Sequence, residues 1–109
     1  MKTKRGKTKV NRPSGATVED AFNCRGLGLH RVSVRVGLPG EFYGPGWGVT
    51  HVESGHGVGP VFRTMREARA FMSALLGMDM DWRRPAVELR KLTGLRAMVE
   101  RAVAGARTP

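Results

Sequence analysis

The chain contains a single cysteine, Cys24, among its 109 residues. No disulfide can form within it, so a fold cross-linked for an oxidising compartment is excluded and the cytoplasm is the expected location. No apolar run approaches the roughly 18 residues that a membrane-spanning helix needs. No apolar signal-peptide segment follows the charged N-terminus either. The sequence therefore predicts neither secretion nor contact with a membrane.

Residues that could hold a metal or carry out catalysis are scarce. Cys24 and the three histidines, His30, His51 and His56, have separations that match none of the short paired spacings of zinc sites. No Gly-Lys-Ser/Thr sequence marks a phosphate-binding loop. A nucleophilic trio of Cys24, His51 and Glu53 stays open, although no motif supports it. We expect no cofactor, no metal ion and no catalytic residue, and hence a protein that is not an enzyme.

Acidic residues are also few. Nine Asp and Glu stand against 19 Lys and Arg, and the resulting formal charge of +10 makes a polyanion the first partner to consider. Six of the ten surplus charges come before residue 13, with no acid among them: Lys2, Lys4, Arg5, Lys7, Lys9 and Arg12. We predict that residues 1–20 form a flexible basic arm that contacts nucleic-acid phosphates. Such an arm can also serve solubility or the docking of an acidic protein.

The hydrophobic pattern of residues 21–104 predicts a single α+β domain. Valine alternates with Arg or Ser over residues 31–36, which is typical of a half-buried strand with an arginine-bearing outer face. A long Gly- and Pro-rich connection follows, and further strands are predicted at 47–53 and 58–62, the last at a sheet edge because of Pro60. We expect a three-stranded antiparallel meander.

A capping box, Thr64-Met65-Arg66-Glu67, is the clearest local signal in the chain. It predicts a helix that ends at Gly77 and packs its apolar face on the valine side of the sheet. A second, C-terminal helix is predicted to begin near Pro85, with Thr93-Gly94 bending or splitting it, and residues 105–109 should fray. The basic residues of this second helix either line a groove or form a solvated face.

Residues 30–77 resemble the arm-type DNA-binding domain of phage and transposon tyrosine integrases, which has an AP2-like sheet and helix. The resemblance lies in Trp47-Gly-Val49, in the turn at Ser54-Gly55 and in the aromatic-basic-Thr-x-x-Glu-Ala-x-x-Phe pattern of residues 62–71. It implies a DNA-binding function and an origin in a phage or mobile element. It also implies a sheet face that enters a major groove through Arg31, Ser33 and Arg35, with contributions from Thr50 and Arg63. It implies no integrase catalysis.

These patterns favour a small accessory protein that binds nucleic acid, with DNA favoured over RNA. The basic arm would contact phosphates, and sheet arginines would position the protein or read bases. The candidate binding residues are Lys2, Lys4, Arg5, Lys7, Lys9, Arg12, Arg31, Arg35 and Arg63. The alternative is a module that binds a host protein through the aromatic residues Phe42, Tyr43 and Trp47.

The charge surplus predicts that DNA or RNA binding is measurable near about 50 mM salt and falls steeply by about 200 mM, because bound phosphates release counterions. Fluorescence anisotropy with a labelled oligonucleotide at several salt concentrations measures the slope of log affinity against log salt. An affinity that does not change with salt would contradict the electrostatic interpretation.

Overall fold

The computed structural model describes residues 1–12, 15–34 and 44–108. Five strands precede three helices: β1 Lys4–Arg12, β2 Gly15–Cys24, β3 Leu27–Val34, β4 Gly44–His51, β5 Gly57–Phe62, α1 Met65–Leu76, α2 Ala86–Leu89 and α3 Leu95–Arg107. The strands form one antiparallel sheet in the order β1-β2-β3-β4-β5. The α+β class is confirmed, but the sheet has five strands where three were predicted.

The N-terminal segment is not the flexible arm that its charge suggested. β1 and β2 pair along their whole length, from Lys4 opposite Asn23 to Arg12 opposite Gly15. Within β1, Thr8 and Val10 are buried, with exposures of 3% and 7%. The strand was not predicted because Lys7 and Lys9 give the segment a charged composition. They alternate with Thr8 and Val10, so that these two lysines lie on one side of the strand and the two buried residues on the other. At the other end of the chain, α3 continues to Arg107, beyond the predicted fraying point.

The sheet curls so that β1 meets the turn between β4 and β5. The backbone N–H of Asn11 donates to the Gly55 carbonyl at 2.9 Å, and the Asn11 side-chain amide donates to the Ser54 carbonyl at 3.0 Å. A Cβ atom on Gly28 of β3 would lie 3.6 Å from the Thr8 methyl group. The β1–β2 hairpin therefore folds back over one face of β3 and β4.

The other face of the sheet packs against α1. The helix begins at the predicted capping box, where the backbone N–H of Glu67 donates to Thr64 Oγ1 at 3.1 Å, and Gly77 caps its end. Its buried residues join strand residues in one core cluster: Leu27, Leu29, Val49, Phe62, Ala68, Phe71, Met72, Leu75 and Leu76, with Trp82, Leu89 and Ala102 beside them.

The side of β3 that meets α1 is the opposite of the predicted side. Leu27 and Leu29 pack under the helix, and Arg31 follows on their side of the strand because side chains alternate. Val32 points the other way, since a Cβ atom on Gly48 would touch both Val32 and His30, at 3.1 and 3.5 Å. The prediction was wrong because β3 starts earlier than the valines, in a glycine-rich stretch that looked like a loop.

The C-terminal region is split at Thr93-Gly94, one of the two predicted outcomes. Gly94 has a φ of 80°, a conformation that favours glycine, and it separates α2 from α3. Trp82 is buried at the corner that follows α1, where its indole N–H donates to the Leu75 carbonyl at 2.8 Å. In the described ranges, no helix has both the length and the apolar character needed to cross a membrane.

Phe71→Ala should lower the free energy of unfolding by about 3 to 5 kcal/mol, the usual cost of emptying a buried aromatic site. Phe71 is fully buried and its ring centroid lies 5.1 Å from that of Phe62. Arg69→Ala, at an exposed position of the same helix, is the matched control and should have little effect. Denaturant unfolding of both variants checks this, and an unchanged midpoint for Phe71→Ala would contradict the described core.

Candidate functional site

The β1–β2 hairpin separates from the rest of the sheet partway along β2. Pairing between β2 and β3 runs from Cys24 opposite Leu27 to Ala21 opposite His30. Beyond that point β2 still pairs with β1, and β3 still pairs with β4 as far as Val34 opposite Gly44. The two hairpins therefore diverge at the end of the sheet where Asp20 and Arg31 lie.

A groove of about 550 Å³ occupies this divergence. It lies on the sheet face that α1 covers farther along, and α1 packs there on β3, β4 and β5. The side chains that give the groove its chemistry are three cations, two aromatic rings and one carboxylate: Arg5, Lys7, Arg31, Phe22, Trp47 and Asp20. Leu29 also lines it and connects the groove with the core.

An arginine guanidinium lies over each of the two aromatic rings, Phe22 and Trp47. Arg5 is directly opposite Phe22 across β1 and β2, and its Cζ lies 5.6 Å from the ring centroid. Arg31 is directly opposite Trp47 across β3 and β4, with a corresponding distance of 5.9 Å. Both distances allow cation–π attraction. The strand register thus builds two similar guanidinium–aromatic pairs, one from each hairpin.

Lys7 and Asp20 form an ion pair across β1 and β2, where they are directly opposite. The Lys7 ammonium lowers the pKa of the Asp20 carboxyl, first through its hydrogen bond and second through its charge. Both side chains are well exposed, at 69% and 87%. Lys7 and Asp20 therefore balance each other, and Arg5 and Arg31 are the remaining charges among the described residues of the groove lining.

The structure brings together four of the predicted site residues. Arg5, Lys7 and Arg31 were predicted as nucleic-acid contacts and Trp47 as a protein-binding residue, and all four line the same groove. Phe22 was missed. In a strand, Phe22 lies on the same side as Val18 and Asp20, because side chains two residues apart share a face. This pattern was not used, because residues 1–20 were assigned to the basic arm.

Of the other predicted residues, those that the structure describes are not part of the groove lining. Lys9 is exposed on β1, two residues beyond Lys7, while Lys4 begins that strand and Lys2 precedes it. Arg12 ends β1, and Arg63 is exposed between β5 and α1. Arg35, Phe42 and Tyr43 lie outside the described residues. Along the chain, the predicted contacts thus divide into a cluster at the groove and a dispersed set.

The possible catalytic trio is not assembled as hydrogen-bonded partners. Leu27 lies between Cys24 and His51 in the sheet. The two ring nitrogens of His51 lie 2.7 Å from Ser54 Oγ and 2.8 Å from the Arg84 carbonyl. His51 thus joins the β4–β5 turn to the segment before α2. In the part of the chain that the structure describes, no three His, Cys, Asp or Glu side chains are grouped so that they could hold a metal ion.

The basic residues of the C-terminal region are divided among different surfaces. Arg83 and Arg84 line a groove of about 500 Å³ together with Arg25, and Arg96 lines another. Arg96 of α3 pairs with Glu100 one turn later at 3.3 Å, and Arg83 pairs with Asp81 at 3.0 Å. Arg90, Lys91 and Arg101 are exposed. Each of the two interpretations of the sequence therefore fits part of the set: Arg83 and Arg84 line a groove, and Arg90, Lys91 and Arg101 are on a solvated face.

Comparison of the chain with protein families, with curated proteins and with solved structures found no significant match of any of the three kinds.

The ion pair predicts a specific pH dependence. Because the folded pKa of Asp20 is depressed, the pair's contribution to stability is present above the ordinary pKa of an aspartate and is lost as the pH falls through the depressed value. In an NMR titration of side-chain carboxyls, Lys7→Met should raise the Asp20 midpoint. The midpoint of Asp81, whose pKa is lowered by the Arg83 amide and side chain, is the internal control and should not move. An Asp20 midpoint unaffected by Lys7→Met would contradict the pair.

Proposed function

We propose that this protein binds nucleic acid through the groove between its two N-terminal hairpins. The observation that carries the proposal is the presence of two guanidinium–aromatic pairs, Arg5 with Phe22 and Arg31 with Trp47, in one groove. Arginine and aromatic side chains are the two kinds that nucleic-acid interfaces use together, for phosphates and for bases respectively. The role is binding, and it requires no catalytic residue.

The charge distribution supports a polyanionic ligand. Among the residues that the structure describes, the groove lining has three cations and one carboxylate. Lys4 and Lys9 add positive charge along the same edge strand, and the chain as a whole has a formal charge of +10. A field of this sign attracts phosphates over about 10 Å at moderate salt. The dispersed lysines would therefore contribute to the capture of the ligand, and the groove would hold it.

The resemblance of residues 30–77 to an integrase arm-type domain points to the same class of ligand. In the structure, Arg31 lies on the sheet side that α1 covers, in the part that the helix leaves open. The proposed contact is therefore local to the groove. It does not use the whole sheet face that the resemblance implied.

Arg5→Ala and Arg31→Ala should each lower affinity for a labelled oligonucleotide and reduce the slope of log affinity against log salt by roughly one, the loss expected for one phosphate contact. Arg69→Ala removes an equal charge from the exposed side of α1, outside the groove lining, and should leave that slope nearly unchanged. Anisotropy titrations of the three variants, with thermal melts to verify folding, measure the difference.

Two results would count against the proposal. If all three variants lose the same small amount of affinity, binding depends on net charge and the groove has no part in it. If the unmodified protein does not bind DNA or RNA even at about 50 mM salt, where counterion release still favours binding, nucleic acid is not the ligand and a protein partner becomes the remaining interpretation.

A further inference from the structure

We propose that the groove binds single-stranded nucleic acid, with one unpaired base stacked at each of its two guanidinium–aromatic pairs. This inference rests on the proposed function and specifies the ligand of the same site. It depends on the spacing, the depth and the chemistry of the two pairs.

The backbone positions of Phe22 and Trp47 are too far apart for two bases that stack on each other to occupy both guanidinium–aromatic pairs. Phe22 on β2 is opposite Leu29 on β3, and Trp47 on β4 is opposite Arg31, two residues farther along. Neighbouring strands are about 4.8 Å apart and residues about 3.3 Å apart along a strand, so the two positions are about 12 Å from each other. Successive bases of a helix are about 3.4 Å apart. Two bases on these platforms must therefore be separated from each other.

The depth of the rings also favours an unpaired strand. Phe22 and Trp47 are half-buried and pack against the core beside Leu29. Within a duplex both faces of a base are covered by its neighbours, and only the base edges are accessible in the grooves. A flexible single strand can turn individual bases into a recess, and stacking on aromatic or guanidinium planes is how such bases are held.

The chemistry of the pairs suits bases of any identity. A guanidinium lies over each ring. A base can therefore stack on the guanidinium plane, or it can displace the guanidinium and stack on the ring. In both cases the arginine's positive charge stays near the phosphates. Asp20, the carboxylate among the described residues of the groove lining, is paired with Lys7. Stacking of this kind tolerates any sequence because every base has a flat face.

The first test needs no variant. Anisotropy titrations at one salt concentration compare a labelled 15-nucleotide thymidine strand with a 15-base-pair duplex. We expect the single strand to bind at least about tenfold more tightly, because only it can place bases on both platforms. Its binding should also quench the fluorescence of Trp47, while Trp82 is buried at the helix corner and should contribute no change.

Variants then separate stacking from charge. Trp47→Leu should weaken single-strand binding by about 5- to 150-fold, a larger loss than it causes for the duplex. Arg31→Lys keeps the charge but lacks the guanidinium plane. It should weaken single-strand binding while the salt slope stays the same, and it does not depend on replacing a half-buried ring.

The possible failures are distinguishable. Equal or tighter binding of the duplex, with the same loss in Arg5→Ala and Arg31→Ala, would overturn the single-strand inference and leave the proposed function in place. Full single-strand affinity in both Trp47→Leu and Arg31→Lys would also overturn it. Absence of binding to either probe would overturn the proposed function itself.

Discussion

One α-helix is too narrow to cover all five strands of this sheet, and the arrangement of the first hairpin depends on that limit. An α-helix with its side chains is about 10–12 Å wide and strands are about 4.8 Å apart, so a single helix covers two or three strands. α1 packs on β3, β4 and β5, and its apolar face is satisfied by Leu27, Leu29, Val49 and Phe62. The first hairpin is therefore not covered by α1 on the side where Arg5 and Phe22 lie, and its opposite side, with Thr8 and Val10, is covered by another part of the chain.

Because the sheet curls, the side of the first hairpin that contains Thr8 and Val10 is covered, and the groove opens on the side that contains Arg5 and Phe22. By folding back toward the β4–β5 turn, β1 buries Thr8 and Val10. The same movement separates β2 from β3 beyond Ala21 and His30. The groove follows from this divergence, and its charged and aromatic side chains lie on the part of the sheet that α1 does not cover.

The sequence was most informative where local chemistry determines the structure. The capping box at Thr64 and the turn glycine Gly94 act within a few residues, and the structure has a helix start and a helix break at these positions. β1 and β2 could not be predicted in the same way. Their stability comes from pairing with each other and from long-range contacts such as that between Asn11 and Gly55, while the local composition resembles a disordered basic tail.

The candidate site shows the same division. Arg5 and Lys7 were identified from the concentration of positive charge before residue 13, and Arg31 from the strand pattern and the resemblance. Their association with Phe22 and Trp47 was not predicted, because it depends on a strand register that joins residues 17 and 16 positions apart. The side of β3 that faces α1 depends on the same register, and a shift of one residue would exchange its two faces.

β1 is an edge strand, and its lysines have a consequence for the behaviour of the protein at high concentration. An exposed sheet edge can pair with the edge of another copy, and charged residues along the strand oppose this by mutual repulsion. Lys4, Lys7 and Lys9 occupy that position here. If these charges also attract a polyanion, each phosphate that neutralises one of them weakens the barrier to self-association. Protection against aggregation and binding of the ligand would then depend on the same side chains.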